Sequence, residues 1–292
     1  MNWKRDRHLQ RRMVLAFALA LLGYAALLGV VLFFFSTTVA VVVCGALVVF
    51  LVVSITQADR IAYLATRAIA VDREAHPTLY ETVDRLANQA GMSTPPLAVI
   101  PSSEPNALSA GSGDRAVICV TLGLVKTLEE DELEAVLAHE LAHLKNNDST
   151  VMTVAGFPMT VASIAFAMAR QSFTWWSLFL GWPLWLALYL AFVSLPVYIV
   201  SLPGTLVLSR YREYAADRGA VAITGDPWAL ASALATLHDA PTSPDEDLRQ
   251  VASFNAFCVV PTEAMFPHVG THPPTHERIE KLRELASELE AR

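Results

Sequence analysis

The sequence predicts a mostly α-helical integral membrane chain that also carries a soluble α+β part, and three observations support that reading. First, its 292 residues are 54% apolar and 17% charged with a mean hydropathy of +0.42, against roughly 45–50% apolar and about 25% charged for soluble proteins. Second, residues 13–58, 149–169 and 171–209 contain no charged side chain, so all 21 basic and 28 acidic residues lie in the rest of the chain. Third, that remainder mixes helical periodicity with short β-rich runs. Disordered, collagenous and disulfide-framework chains are excluded by such a composition.

Taken in order, residues 1–12 carry five basic side chains against Asp6. Met13 to Phe35 is apolar over a length that can cross a bilayer, which takes about 20 helical residues. Ser36-Thr37-Thr38 is a minimal polar turn, and Val39 to Ile55 can return. A cleaved signal peptide is the competing reading, but its apolar core would be shorter and would not lead into a second span. Lys4, Arg5, Arg7, Arg11 and Arg12 precede this hairpin and Arg60, Arg67 and Arg73 follow it, so the positive-inside rule puts both ends in the cytoplasm. Val151 to Ala169 is a third candidate span. Trp175 to Leu208 is a fourth apolar region, interrupted by Pro183, Pro196 and Pro203; on sequence alone it is either one long broken helix or two short ones.

The polar remainder reads as an ordinary fold. Residues 75–90 repeat apolar side chains at helical spacing and stop at Gly91, a helix cap. Leu97–Ile100 and Ala116–Thr121 are strand-like, separated by a loop over 102–114. Thr127-Leu128-Glu129-Glu130 opens a helix to about Asn147, its acids placed at the favourable end of the dipole. Another helical pattern opens at Ser209. Residues 241–274 have no clear period and suit a flap or linker, and a last charged helix runs from Thr275 to about Ala291.

Cys44, Cys119 and Cys258 form no close pair, as expected of inert thiols in a reducing compartment. The net charge of −7 with no basic patch beyond the first residues excludes a nucleic-acid footprint. An acidic face is by default a solvated surface.

The chemistry-bearing motif is His139-Glu140-Leu141-Ala142-His143. Histidines four apart stand one turn above each other on a helix, so both imidazoles can reach one ion, and the intervening Glu lies beside the open coordination position. The motif thus offers two zinc ligands and a general base. Catalytic zinc takes three protein ligands and leaves a place for water, so a third His, Glu or Asp is required. In Ser209-Arg210-Tyr211-Arg212-Glu213-Tyr214-Ala215-Ala216-Asp217, Glu213 and Asp217 share a helix face. One can ligate and the other hydrogen-bond a ligand. Asp148, five residues after His143, is a further orienting candidate.

With EPNALSAG (104–111), the TxGLxxxL run at 121–128, AHELAHLKNND (138–148), SRYREYAAD (209–217) and THPPTHERIEKL (271–282), the chain resembles the HtpX-type membrane zinc metallopeptidases, relatives of the CAAX prenyl proteases. The resemblance implies one Zn²⁺ per chain on His139, His143 and Glu213, with Glu140 as catalytic base. It implies that His272 assists the oxyanion, with His268 and His276 as rivals. It also makes Asn106 and Ala107 the start of an edge strand that pairs with extended substrate; without it, Asn106 after Pro105 is a turn residue.

Glu213 joins the histidines only from the same side of the membrane, so residues 171–208 cross once. The expected layout is then four transmembrane helices in two hairpins with a cytoplasmic α+β zincin-like protease domain: a hairpin over 1–56, a first protease half over 57–148, a second hairpin over 149–208 and a second half over 209–292. The implied role is cleavage of misfolded or damaged polypeptides, unfolded or membrane-bound, at the cell membrane in contact with lipid, as quality control. CAAX-type processing and a zinc-binding scaffold without proteolysis are the alternatives. A structural zinc site needs no base and tends to take four protein ligands, which is why Glu140 argues against the scaffold.

Overall fold

The computed structural model describes residues 7–74, 76–172, 181–239 and 273–291. The described chain falls into two compact units.

The first contains residues up to Ile55 and Val151–Tyr211. Helices α1 (Arg7–Phe34) and α2 (Thr37–Thr56) are separated by the short polar turn, and α7 (Asp148–Ser172) and α8 (Trp182–Thr224) follow later in the chain. All four are long and apolar enough to cross a membrane. Their contacts set alanines against larger side chains: Ala16 and Ala20 cluster with Met152, Ala155 and Leu208, and Met159 and Ala162 with Val197 and Tyr198. The Tyr24 hydroxyl donates to the Val154 carbonyl at 2.7 Å. Large apolar side chains point outward instead, with Leu21 68% and Phe33 82% exposed. Water would not favour so large an apolar surface.

Among the described residues, the part of 171–208 from Trp182 to Leu208 is a single helix and does not divide into two: α8 passes through Pro196 and Pro203 without interruption. Nor does a new helix open at Ser209. The backbone runs on helically to Thr224, because no glycine, proline or capping side chain falls between Ser209 and Asp217 to stop it.

The second unit takes in Thr56–Thr150, the chain from Arg212, and the C-terminal residues. Its sheet has the order β1-β2-β4-β3. β1 (Ile69–Ala70) is antiparallel to β2 (Leu97–Ile100), β2 is parallel to β4 (Val117–Thr121), and β4 is antiparallel to β3 (Ala107–Ala110). The expected strands are β2 and β4. β3 lies inside the stretch read as a loop, since four residues after Pro105 give too short a pattern to detect. α3 (Ala58–Thr66), β1 and α9 (Pro227–Asp239) also lay outside the sequence expectations.

Both central strands are buried on both faces. On one side Ala62 of α3 packs with Ala98, Ile100, Leu108 and Cys119. On the other, the main core joins α4 (Pro77–Ala90), α6 (Glu130–Lys145), α9 and α10 (Thr275–Glu290). Gly91 caps α4 in the left-handed region at φ 67, as its place in the pattern predicts. The helix expected over 127–147 is α6, which starts at Glu130, and a separate short helix, α5 (Leu122–Thr127), precedes it. The break is set by a capping box in which Glu129 and Glu132 exchange side-chain and backbone hydrogen bonds. Glu132 then uses its other oxygen to accept from Ser232 (2.6 Å) and Thr236 (3.0 Å), fixing α9 against α6.

Gly219 of α8 faces Ala142 of α6. A Cβ there would stand 2.6 Å from that of Ala142, so only glycine allows the two helices to come this close. Gly219→Val is expected to lose about 1–3 kcal/mol through overpacking, more than the few tenths valine gains over glycine in a helix. Chemical denaturation in detergent measures this, and an unchanged midpoint would show that the contact is not tight.

Candidate active site

His139 and His143 lie one turn apart on the buried face of α6, and their Nε2 atoms are 3.1 Å apart with the rings nearly perpendicular. Each ring is held from behind by a carboxylate. Asp148, in the first turn of α7, lies 2.6 Å from Nδ1 of His143. Asp217 of α8 lies 3.1 Å from Nδ1 of His139. When both rings carry their proton on Nδ1, the side of the carboxylates, the Nε2 lone pairs face one another. The Glu213 carboxylate faces the same point, with oxygens 3.6 Å from Nε2 of His143 and 3.8 Å from Nε2 of His139.

In that protonation state the donors repel one another unless a cation lies among them, and their geometry tests the metal reading. Ligand atoms of His139, His143 and Glu213 all fall within 4.8 Å of one another. The 3.1 Å between the nitrogens is close to the roughly 3.3 Å that two nitrogens on one tetrahedral zinc would keep. Burial, with His139 next to it, pushes the His143 imidazole down to about 4, so its lone pair is available at neutral pH. The residues present therefore fit zinc.

Glu140 is buried beside them, and its Oε2 has no hydrogen-bond partner among the described residues. An unpartnered buried carboxylate oxygen is costly and available to take a proton. It lines a cavity of about 210 Å³ together with His139, Glu213, Asn106 and Ala107. Ala107 begins β3, which stands at the end of the sheet, and Asn106 is tied to β4 through Thr121, whose hydroxyl accepts from the Asn106 amide at 2.9 Å. The six residues His139, Glu140, His143, Asp148, Glu213 and Asp217 are thus brought together, with Asn106 and Ala107 on the same cavity. His276 is exposed on α10, while His268 and His272 lie outside the described residues. Cys119 is buried in β4, where burial and then nearby Glu140 push its thiol up to about 12, which suits neither a ligand nor a nucleophile. Cys258 lies outside the described residues.

Two arginines complete the site that sequence reasoning had not assigned. Arg278 of α10 forks onto Asp217, with Nε to Oδ2 at 2.9 Å and Nη2 to Oδ1 at 2.6 Å, and its Nη1 lies 3.0 Å from Glu213. Burial alone would lower the Arg278 pKa, but Asp217 and Glu213 beside it raise it instead. Arg212 pairs with Asp148. The available signal was charge: Glu140, Asp148, Glu213 and Asp217 would bring four carboxylates to a single divalent ion, and burying the excess requires further cations.

Residues 73–286 match the model of peptidase family M48. The chain belongs to that family, and is accordingly a protease. Among its relatives, protease HtpX homolog 1 of Streptomyces coelicolor is 40% identical over 298 residues, covering 99% of this chain and 96% of its own. The protease HtpX homolog of Moorella thermoacetica is 40% identical over 245 residues, 80% of each. Protease HtpX homolog 2 of Methanosarcina mazei is 34% identical over 301 residues, 99% of each. A crystal structure of S. mikatae Ste24p is similar at a TM-score of 0.46 and 19% identity, over 92% of this chain and 63% of that one.

Because Asp217 holds His139 from behind, Asp217→Asn is expected to weaken zinc binding about 10–100-fold, read by competition with a chromogenic chelator. Arg278→Met removes the cation between two buried carboxylates and is expected to cost about 3–5 kcal/mol, measured by denaturation. Arg278→Lys keeps the charge but not the fork, and should fall between Met and wild type.

Proposed function

We propose that this chain is a membrane-embedded, zinc-dependent endopeptidase with its site facing the cytoplasm. The observation that carries this reading is the convergence of His139, His143 and Glu213 beside the unpartnered Oε2 of Glu140, in a cavity bordered by an edge strand.

One Zn²⁺ per chain would be held by His139, His143 and Glu213. When bound, it lowers the pKa of a coordinated water toward about 7 and polarises the scissile carbonyl. Glu140 accepts a proton from the attacking water and later delivers it to the leaving amine. Asp148 and Asp217 keep both imidazoles in the ligating orientation. Backbone groups from Asn106 and Ala107 onward pair with an extended substrate as an added strand, which is why the substrate must be locally unfolded. His272 donates to the developing oxyanion. Selecting for unfolded chain suits removal of misfolded or damaged membrane proteins. The four apolar helices form two membrane hairpins, with α8 making the last crossing before its polar end carries Glu213.

Glu140→Gln is expected to keep zinc and lose turnover by about 10²–10⁴-fold, measured on unfolded casein with and without chelator. Bound zinc with equal cleavage by wild type and variant would contradict the mechanism. For topology, Arg170→Cys in a background lacking the native cysteines should label with an impermeant maleimide from outside the cell. Labelling from the cytoplasm alone would overturn the two-hairpin arrangement.

A further inference from the structure

The cavity that holds the proposed catalytic groups has a second wall which takes no part in the chemistry described so far. Leu124 of α5, Val136 of α6 and Leu230, Leu234 and Leu237 of α9 line it. Positions 230, 234 and 237 fall on one face of α9. Val136 is one turn before Glu140 on α6. The apolar wall therefore begins next to the proton-transferring carboxylate. Leu234 and Leu237 are only partly buried, although both sit against the main core. The wall is held in place by Glu132, which accepts from Ser232 and Thr236 on the neighbouring face of α9.

We infer that this wall is a specificity pocket that accepts an apolar side chain, of the size of leucine to phenylalanine, from one of the two residues flanking the scissile bond. The inference rests on the peptidase reading and adds the substrate class to it. Its occupant follows from the position: a substrate bound along β3 with its carbonyl at His139 and Glu213 has to direct a flanking side chain into the remaining volume. Charge is disfavoured there for a specific reason. The one cationic side chain on the cavity among the described residues, Arg278, has Nε and both Nη atoms engaged with Asp217 and Glu213. An acidic substrate side chain would lose its hydration without gaining a partner and would stand near the Glu140 and Glu213 carboxylates, and a basic one directed at the α9 wall, away from those carboxylates, would face only leucine and valine.

The test is the cleavage pattern of the zinc-loaded wild-type protein on denatured casein, mapped by mass spectrometry. Leu, Ile, Met or Phe should exceed Asp, Glu and Lys by about tenfold or more at one position flanking the cut, the range a well-formed apolar pocket gives. Leu234→Lys should move the same position toward Asp and Glu, a gain that a folding defect cannot imitate. Leu237→Ala should shift it from leucine toward phenylalanine. Zinc-dependent cleavage without preference, or a Leu234→Lys variant that cuts with wild-type ratios, overturns this inference alone. No cleavage by wild type, or equal cleavage by Glu140→Gln, overturns the peptidase reading beneath it.

Discussion

Two imidazole nitrogens facing each other at 3.1 Å beside a buried carboxylate form an arrangement that, with both rings protonated on Nδ1, a cation between them would stabilise. Several other features of the second unit hold that arrangement. Asp148 and Asp217 fix the rings from behind, Arg212 and Arg278 neutralise those carboxylates, and Gly219 lets α8 approach α6 closely enough for Glu213 and Asp217 to reach the histidines. The polar groups form one connected network. Removing a member leaves a buried charge uncompensated, and such a loss costs more than the pair contributes on its own.

The sheet and α9 serve the site differently. β3 presents an unmatched edge within the described residues, with Ala107 at the cavity and Asn106 anchored by Thr121. α9 supplies an apolar wall kept in register by Glu132, one residue serving both the start of α6 and the placement of α9. The ligands come from chain segments some seventy residues apart with α7 and the apolar part of α8 between them, so the site depends on tertiary packing and not on local sequence alone.

Much of this was legible in the sequence because strong local rules applied. The uncharged blocks marked the four long apolar helices, Gly91 marked a cap, and the spacing of His139, Glu140 and His143 required them to share a helix face. Glu213 could be narrowed only to one of two carboxylates until resemblance chose it. What stayed hidden depended on partners far away in the chain. β3 is too short to show a period of two, and α9 follows a helix with no long linker to announce it. The continuity of α8 past Ser209 reflects the absence of a stop signal, which is harder to read than its presence. Arg278 sits in a helix full of surface charge, and only Asp217 and Glu213, some sixty residues earlier, distinguish it from its neighbours.

The central claim, that His139, His143 and Glu213 hold one zinc with an open position, is tested most directly by X-ray absorption at the zinc edge of the purified, metal-loaded protein. The account predicts a shell of nitrogen and oxygen at about 2.0–2.1 Å with the outer scattering of two imidazoles and no sulfur. A sulfur neighbour at about 2.3 Å, or scattering from a single imidazole, would contradict it.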